Sequence, residues 1–134
     1  MVNKIKGILE RLRAENKPVW VAALLKMDDL VDRWALILSA PWINAQNREQ
    51  EFTQIHALLR SELSHDELVS IVRFGIFDKD DHLVSQLLSR PTDSRIQEEQ
   101  LNGNLVHEGI ILESNPELQW NDNAPLFAQS ANPQ

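Results

Sequence analysis

Apolar residues recur at helical spacing near the start of the chain. Ile5, Ile8, Leu9 and Leu12 fall at i, i+3, i+4 and i+7 with charges between them, which predicts an amphipathic helix over 2–15. Gly7 weakens that helix by roughly 1 kcal/mol relative to Ala. Pro18 closes it, because the residue before a proline is pushed out of the α region. Val19 to Met27 is a near-continuous apolar run. Its β-branched and aromatic start reads as strand, with helix the alternative for its Ala-Ala-Leu-Leu portion. Trp34 to Ala40 is a clearer strand, and Pro41 ends it by removing a ladder donor. The two runs form an expected antiparallel pair across a polar connection of about six residues that holds Asp28, Asp29 and Asp32.

Further along, Asn44 is placed to cap a helix whose stripe is Phe52, Ile55, Leu58, Leu59 and Leu63. Ser64 and Glu67 fit the S-x-x-E capping box, so a new turn begins there. Val69 to Phe77 has strand composition. Asp80 or Asp81 then caps a third helix with the stripe Leu83, Val84, Leu87 and Leu88, which stops before Pro91. Asn102-Gly103 is the dipeptide of a tight hairpin turn in which both central residues need positive φ. It joins a polar edge strand, Arg95 to Leu101, to a better strand, Leu105 to Leu112. Glu98 and Glu99 suit a solvated edge, where charge blocks sheet-to-sheet aggregation.

Together these elements predict a single small α/β domain over 1–113, with α+β as the alternative. It has a mixed four- to five-stranded sheet, about three helices and a central β-α-β unit from Trp34 to Asp81. The strands of that unit should lie parallel with a right-handed crossover. From 114 to 134 the chain turns polar, with Leu118, Trp120, Leu126 and Phe127 as its apolar anchors. It reads as a tail, wrapped on the domain or disordered.

Composition narrows the function classes. A chain of 134 residues fits one domain and buries about two-thirds of its unfolded surface. It has no cysteine, which excludes disulfides, thiolate metal sites and cysteine nucleophiles. The start carries no signal-peptide pattern, and no stretch approaches the roughly 18 apolar residues of a membrane span. The expectation is a cytoplasmic protein with no membrane partner. Net charge is −7, and it is uneven. Residues 1–17 hold five basic against two acidic side chains, whereas residues 91–134 hold one against seven. A nucleic-acid partner needs a concentrated basic face, and this balance argues against one.

Candidate chemistry centres on Asp78, Asp80 and Asp81. The segment Gly75-Ile76-Phe77-Asp78-Lys79-Asp80-Asp81-His82-Leu83-Val84-Ser85 resembles the first motif of the haloacid-dehalogenase phosphatases, an apolar strand followed by Asp-x-Asp-Gly-Thr-Leu. The resemblance implies Asp78 as nucleophile, Asp80 as general acid/base and a magnesium ion between them, and hard oxygen ligands at a strand end suit that ion. Asp81 and His82 stand where that family has Gly-Thr, and residues 91–134 lack the lysine its chemistry also uses. The plainer reading is a helix cap.

Arg60 and His65 have the Arg-x4-His spacing of the HEPN ribonucleases, and the resemblance implies an all-helical bundle that cleaves RNA across a dimer. His56, His65, His82 and His107 form no short metal-ligand pair. Trp20, Trp34 and Trp42 read as core aromatics. The alternative is a binding pocket of Trp42 and Asn44 beside Ser39, Pro41 and Asp78, since ligands of open α/β sheets sit outside the carboxyl ends of strands.

Two readings of function follow. The first is a small non-catalytic cytoplasmic protein that acts by binding another protein or itself, with no cofactor. The second is a magnesium-dependent phosphoryl-transfer or hydrolytic enzyme using Asp78 and Asp80.

Overall fold

A computed structural model describes residues 1–30 and 32–120. Five strands form one mixed sheet in the order β3-β2-β1-β5-β4. They are β1 (Val21–Met27), β2 (Trp34–Ser39), β3 (Ile71–Ile76), β4 (Arg95–Leu101) and β5 (Asn104–Ser114). β2 and β3 run parallel, and every other neighbour pair is antiparallel. The β1–β2 pair and the β-α-β unit are therefore as predicted. The strand reading of Val19 to Met27 also holds, from Val21 onward.

β1 lies between β2 and β5 with both faces covered, which explains its unbroken apolar sequence. On one face pack α1 (Val2–Ala14) and α2 (Arg48–Glu62). Ile5, Ile8, Leu9 and Leu12 meet Ala22, Leu24, Leu36 and Leu38 there, and Ile55, Leu59 and Leu63 complete the cluster. On the other face α4 (His82–Leu88) sets Leu83, Val84 and Leu87 over Ala23, Leu25, Ile37 and Ile111. The result is a three-layer arrangement with two cores, one on each face of the sheet.

Three boundaries differ from the sequence reading. α2 begins at Arg48 with Asn47 as its N-cap, so Asn44 does not cap the helix itself. Asn44 instead closes the preceding turn: its Oδ1 accepts from the N–H groups of Gln46 and Asn47, and its own N–H donates to Asn47 Oδ1. Val69 belongs to a fourth helix, α3 (His65–Ser70), not to the strand. The capping box wins there over β-branched propensity. Ser64 Oγ accepts from Glu67 N–H at 3.2 Å, and Glu67 Oε1 accepts from Ser64 N–H at 2.9 Å. Finally, Ser114 is the last residue of β5, so the polar segment starts inside the sheet. Asn115 donates to the carbonyls of Trp20 and Val19, Trp20 Nε1 donates to Leu118 O, and Trp120 packs on the first core. The rest of the predicted tail, 121–134, lies outside the described residues.

Two β-bulges interrupt β5. Opposite β1, Leu112 is the extra residue at one end and His107 the extra residue at the other. Each bulge re-aims an ionisable side chain. The hairpin turn is the predicted one, with Asn102 at φ 50 and Gly103 at φ 80.

Candidate functional site

The carboxyl ends of β2 and β3 lie side by side, which brings part of the predicted site together. Phe77 N–H donates to Leu38 O, so the chain leaves the sheet beside β2. Asp78 follows at once. Arg48, in the first turn of α2, donates through Nη2 to Asp78 Oδ1 at 3.0 Å and through Nη1 to the Ile76 carbonyl. The acidic loop and the start of α2 are thus joined by one guanidinium, which sequence reasoning did not single out. Asp81 Oδ1 accepts from Leu83 N–H at 2.9 Å and is the N-cap of α4. Asp80 is exposed. Among the described residues no group of three His, Cys, Asp or Glu side chains is placed to hold a metal ion, and Asp78, Asp80 and Asp81 are not such a group.

The tryptophans are tied into the domain. Trp42 is buried, donates from Nε1 to Pro18 O at 2.7 Å and lies under the Lys17 ammonium. Trp20 carries Lys79 over its ring at 5.1 Å, and Trp34 carries Lys26 at 4.9 Å. Asn44 is exposed and spends its side-chain oxygen on the turn before α2. Trp42 and Asn44 share that loop, linked through Asn47, whose Nδ2 donates to Trp42 O. Ser39 is buried under the α4 face, not open to a cleft. Arg60 sits in α2 and His65 in the first turn of α3, both exposed. A five-stranded sheet is also incompatible with the all-helical bundle that their spacing implied.

The two outer strands differ sharply in chemistry. β4 presents Arg95, Gln97, Glu98 and Gln100 to solvent, which is how native sheets protect an edge. β3, at the opposite edge, carries Val72 (43% exposed), and Val69 (47% exposed) precedes it in α3; among the described residues these are the large hydrophobic side chains most open to water. Beside them a shallow groove of about 250 Å³ runs between β3 and α2, lined by Phe52, His56, Leu68, Val72 and Phe74. A second hollow of about 430 Å³ continues it past Phe52 to Ala45, Arg48 and Ile76. Phe52 stacks on Phe74 at 4.8 Å between ring centres and on the His56 ring at 6.1 Å. Exposed apolar patches are where docking surfaces are sought. The clue in the sequence was Val72 beside Phe74, with Val69 just before them; among the described residues no strand pairs with the far side of β3.

Two ion clusters sit at the bulges of β5. His107 lies between two carboxylates, with Nε2 at 2.9 Å from Asp28 Oδ1 and Nδ1 at 3.2 Å from both oxygens of Glu98. These partners, Asp28 first, raise the imidazole above its ordinary range. Glu98 takes a left-handed φ of 49 in mid-strand, a conformation that costs a non-glycine residue energy. At the other bulge Glu113 is buried, and its oxygens accept from Arg13 Nη2 and Asn115 Nδ2, each at 2.7 Å.

No family model, no curated protein and no solved structure matches this chain. No helix among the described residues is long and apolar enough to cross a membrane.

Proposed function

We propose that this chain is a non-catalytic cytoplasmic protein that works by pairing with a second copy of itself through the β3 flank. The contrast between the two sheet edges carries the reading. One edge is charged and polar; the other exposes Val72 beside the Phe52–Phe74 stack, with Val69 exposed just before it in α3. The second copy is favoured by the rim of this patch. Arg73, beside Val72 in β3, and Asp66, one helical turn before Val69 in α3, are both exposed there. A rim with both signs can match itself under a two-fold axis, whereas a partner of opposite charge would call for a rim of one sign. Two-fold dimers are also the commonest oligomers of soluble proteins. Val72 is the extra residue where the β2–β3 register shifts, between Ile71 and Arg73. That irregularity hinders a regular strand-to-strand ladder, so side-chain packing is the expected mode of contact.

The magnesium-dependent alternative has less to support it. Asp78 is occupied by Arg48, and Asp81 by the start of α4.

Light scattering and sedimentation test the reading. The full chain should behave as a dimer, and Val69→Asp with Val72→Asp should give a folded monomer with an unchanged far-ultraviolet spectrum. A wild-type chain that stays monomeric at about 100 μM, a concentration that saturates any dimer of ordinary affinity, overturns self-association. A dimer that survives both substitutions removes the β3 flank as its interface.

A further inference from the structure

A cavity of about 290 Å³ lies between α1 and the last strand, well away from the β3 flank. Its wall includes Lys6, Glu10 and Arg13 from α1, Thr92 from the turn before β4, and Glu113 and Asn115. The size is at the small end of ligand pockets, which suits a metabolite. Its polar groups are held in place by the fold. Leu112 is the extra residue of the bulge, and Glu113 beside it turns toward α1. Glu113 is 6% exposed, so its charge is nearly out of water. Its partner Arg13 is about half exposed, so the carboxylate alone bears the cost of burial. An apolar side chain at 113 would avoid that cost, so the buried carboxylate invites another explanation.

Arg13 supplies it. Glu113 engages one nitrogen, Nη2, and the side chain is half exposed. The guanidinium is a planar fork with five donors, and among the described residues no other acceptor is hydrogen-bonded to it, which leaves donors for a second carboxylate. Glu10 lies three residues before Arg13 and four after Lys6, hence on the same side of α1. Lys6 is paired with Asp93. Glu10 has no ion-pair partner among the described residues, which leaves an uncommitted carboxylate beside the Arg13 fork. With Asp93 counted, two basic groups face three acidic ones, so a simple anion would meet a net negative wall. A ligand that brings an ammonium for Glu10 and a carboxylate for Arg13 satisfies both groups and adds no net charge.

We infer that this cavity binds a free α-amino acid, with its carboxylate on Arg13 and its ammonium on Glu10. Glu113 and Asn115 hold the arginine in position for it. The inference does not depend on the β3 flank.

Calorimetric titration of the full chain with each of the common amino acids tests it, with acetate and methylamine as single-function controls. At least one amino acid should bind saturably, with acetate and methylamine at least about tenfold weaker. Glu10→Gln and Arg13→Gln should each weaken that binding about tenfold or more. Glu10 is exposed and has no ion-pair partner among the described residues, so Glu10→Gln should melt as the wild type does, which separates lost binding from lost structure. No saturable binding of any amino acid up to about 10 mM overturns the inference. So does methylamine or acetate binding as tightly as the amino acid, or undiminished binding in Glu10→Gln.

Discussion

Arg48 and Asp78, thirty residues apart, meet at 3.0 Å where the acidic loop leaves β3. The same guanidinium holds the carbonyl of Ile76, the last residue of that strand. The carboxyl end of the outer strand is therefore closed by a side chain.

The two partners should not be equivalent. Asp78 is largely exposed, and an exposed ion pair is worth about 0–1 kcal/mol. Asp78→Asn should accordingly lower stability by less than about 1 kcal/mol in urea unfolding. Arg48→Ala also strips a donor from the Ile76 carbonyl and should cost more, roughly 1–2 kcal/mol. Equal losses would show that the carbonyl contact contributes nothing.

Glu67 ties α3 to the start of α1. Lys4 Nζ donates to its carboxylate at 2.8 Å, and the Ser64 N–H and the Met1 amino group add to the hold. These contacts, Lys4 first, lower its pKa from 4.5 to about 2. A depressed carboxylate contributes stability above its unfolded pKa and loses it as pH falls through the folded value. The contribution should be complete above about pH 4.5 and gone near pH 2. Glu67→Gln keeps the capping box but not the charge. Its melting temperature should fall less steeply than that of the wild type between those two values.

His107 has the opposite sign. Its imidazolium is stabilised by Asp28 and Glu98, so its pKa is raised above 6.5. A raised pKa gives stability that is fully present below the unfolded value and is lost as pH rises through the folded one. The hairpin of β4 and β5 should therefore be held best below pH 6.5. His107→Gln should flatten the melting temperature against pH from 6.5 upward, and imidazole NMR titration of the wild type should give a midpoint above 6.5.

Gly109 sits in the middle of β5, where the backbone passes close to its neighbours. A Cβ there would meet Leu25 Cδ2 at 2.9 Å, the Leu24 carbonyl at 3.2 Å and Ile96 Cβ at 3.3 Å. The leucine tip can shift, but the carbonyl cannot. Gly109→Ala should destabilise by about 1–3 kcal/mol in urea unfolding. Gly7→Ala offers the control: nothing lies within 4 Å of its Cβ position, so the helix should gain up to about 1 kcal/mol.

What could be read in the sequence was local. Ser64 with Glu67, and Asn102 with Gly103, specify their structures through contacts within four residues, and both appear as read. The stripes of α1 and α4 were equally legible, because 3.6-residue spacing needs no knowledge of the partner. Asn44 was misplaced because two asparagines three residues apart compete for the same role, and only the turn geometry chooses Asn47. Arg48 leaves no local signal because its partner is thirty residues away. The bulges were hidden for the same reason. His107 and Leu112 are extra residues only in relation to β1, some eighty residues earlier in the chain. The candidate sites at Glu113 and along β3 thus depend on long-range pairing, which composition and periodicity do not report.

The strand order carries one more consequence. β1, β2 and β3 all come from residues before 77, and β4 and β5 from residues after 94. One antiparallel ladder, β1 with β5, joins these two blocks of the sheet. The exposed Asp78–Asp80 loop connects them in sequence. A nick in that loop would leave complementary fragments, each with a paired set of strands and a shared apolar seam to find the other by. The acidic loop is, in this light, part of the covalent link between two halves of one sheet.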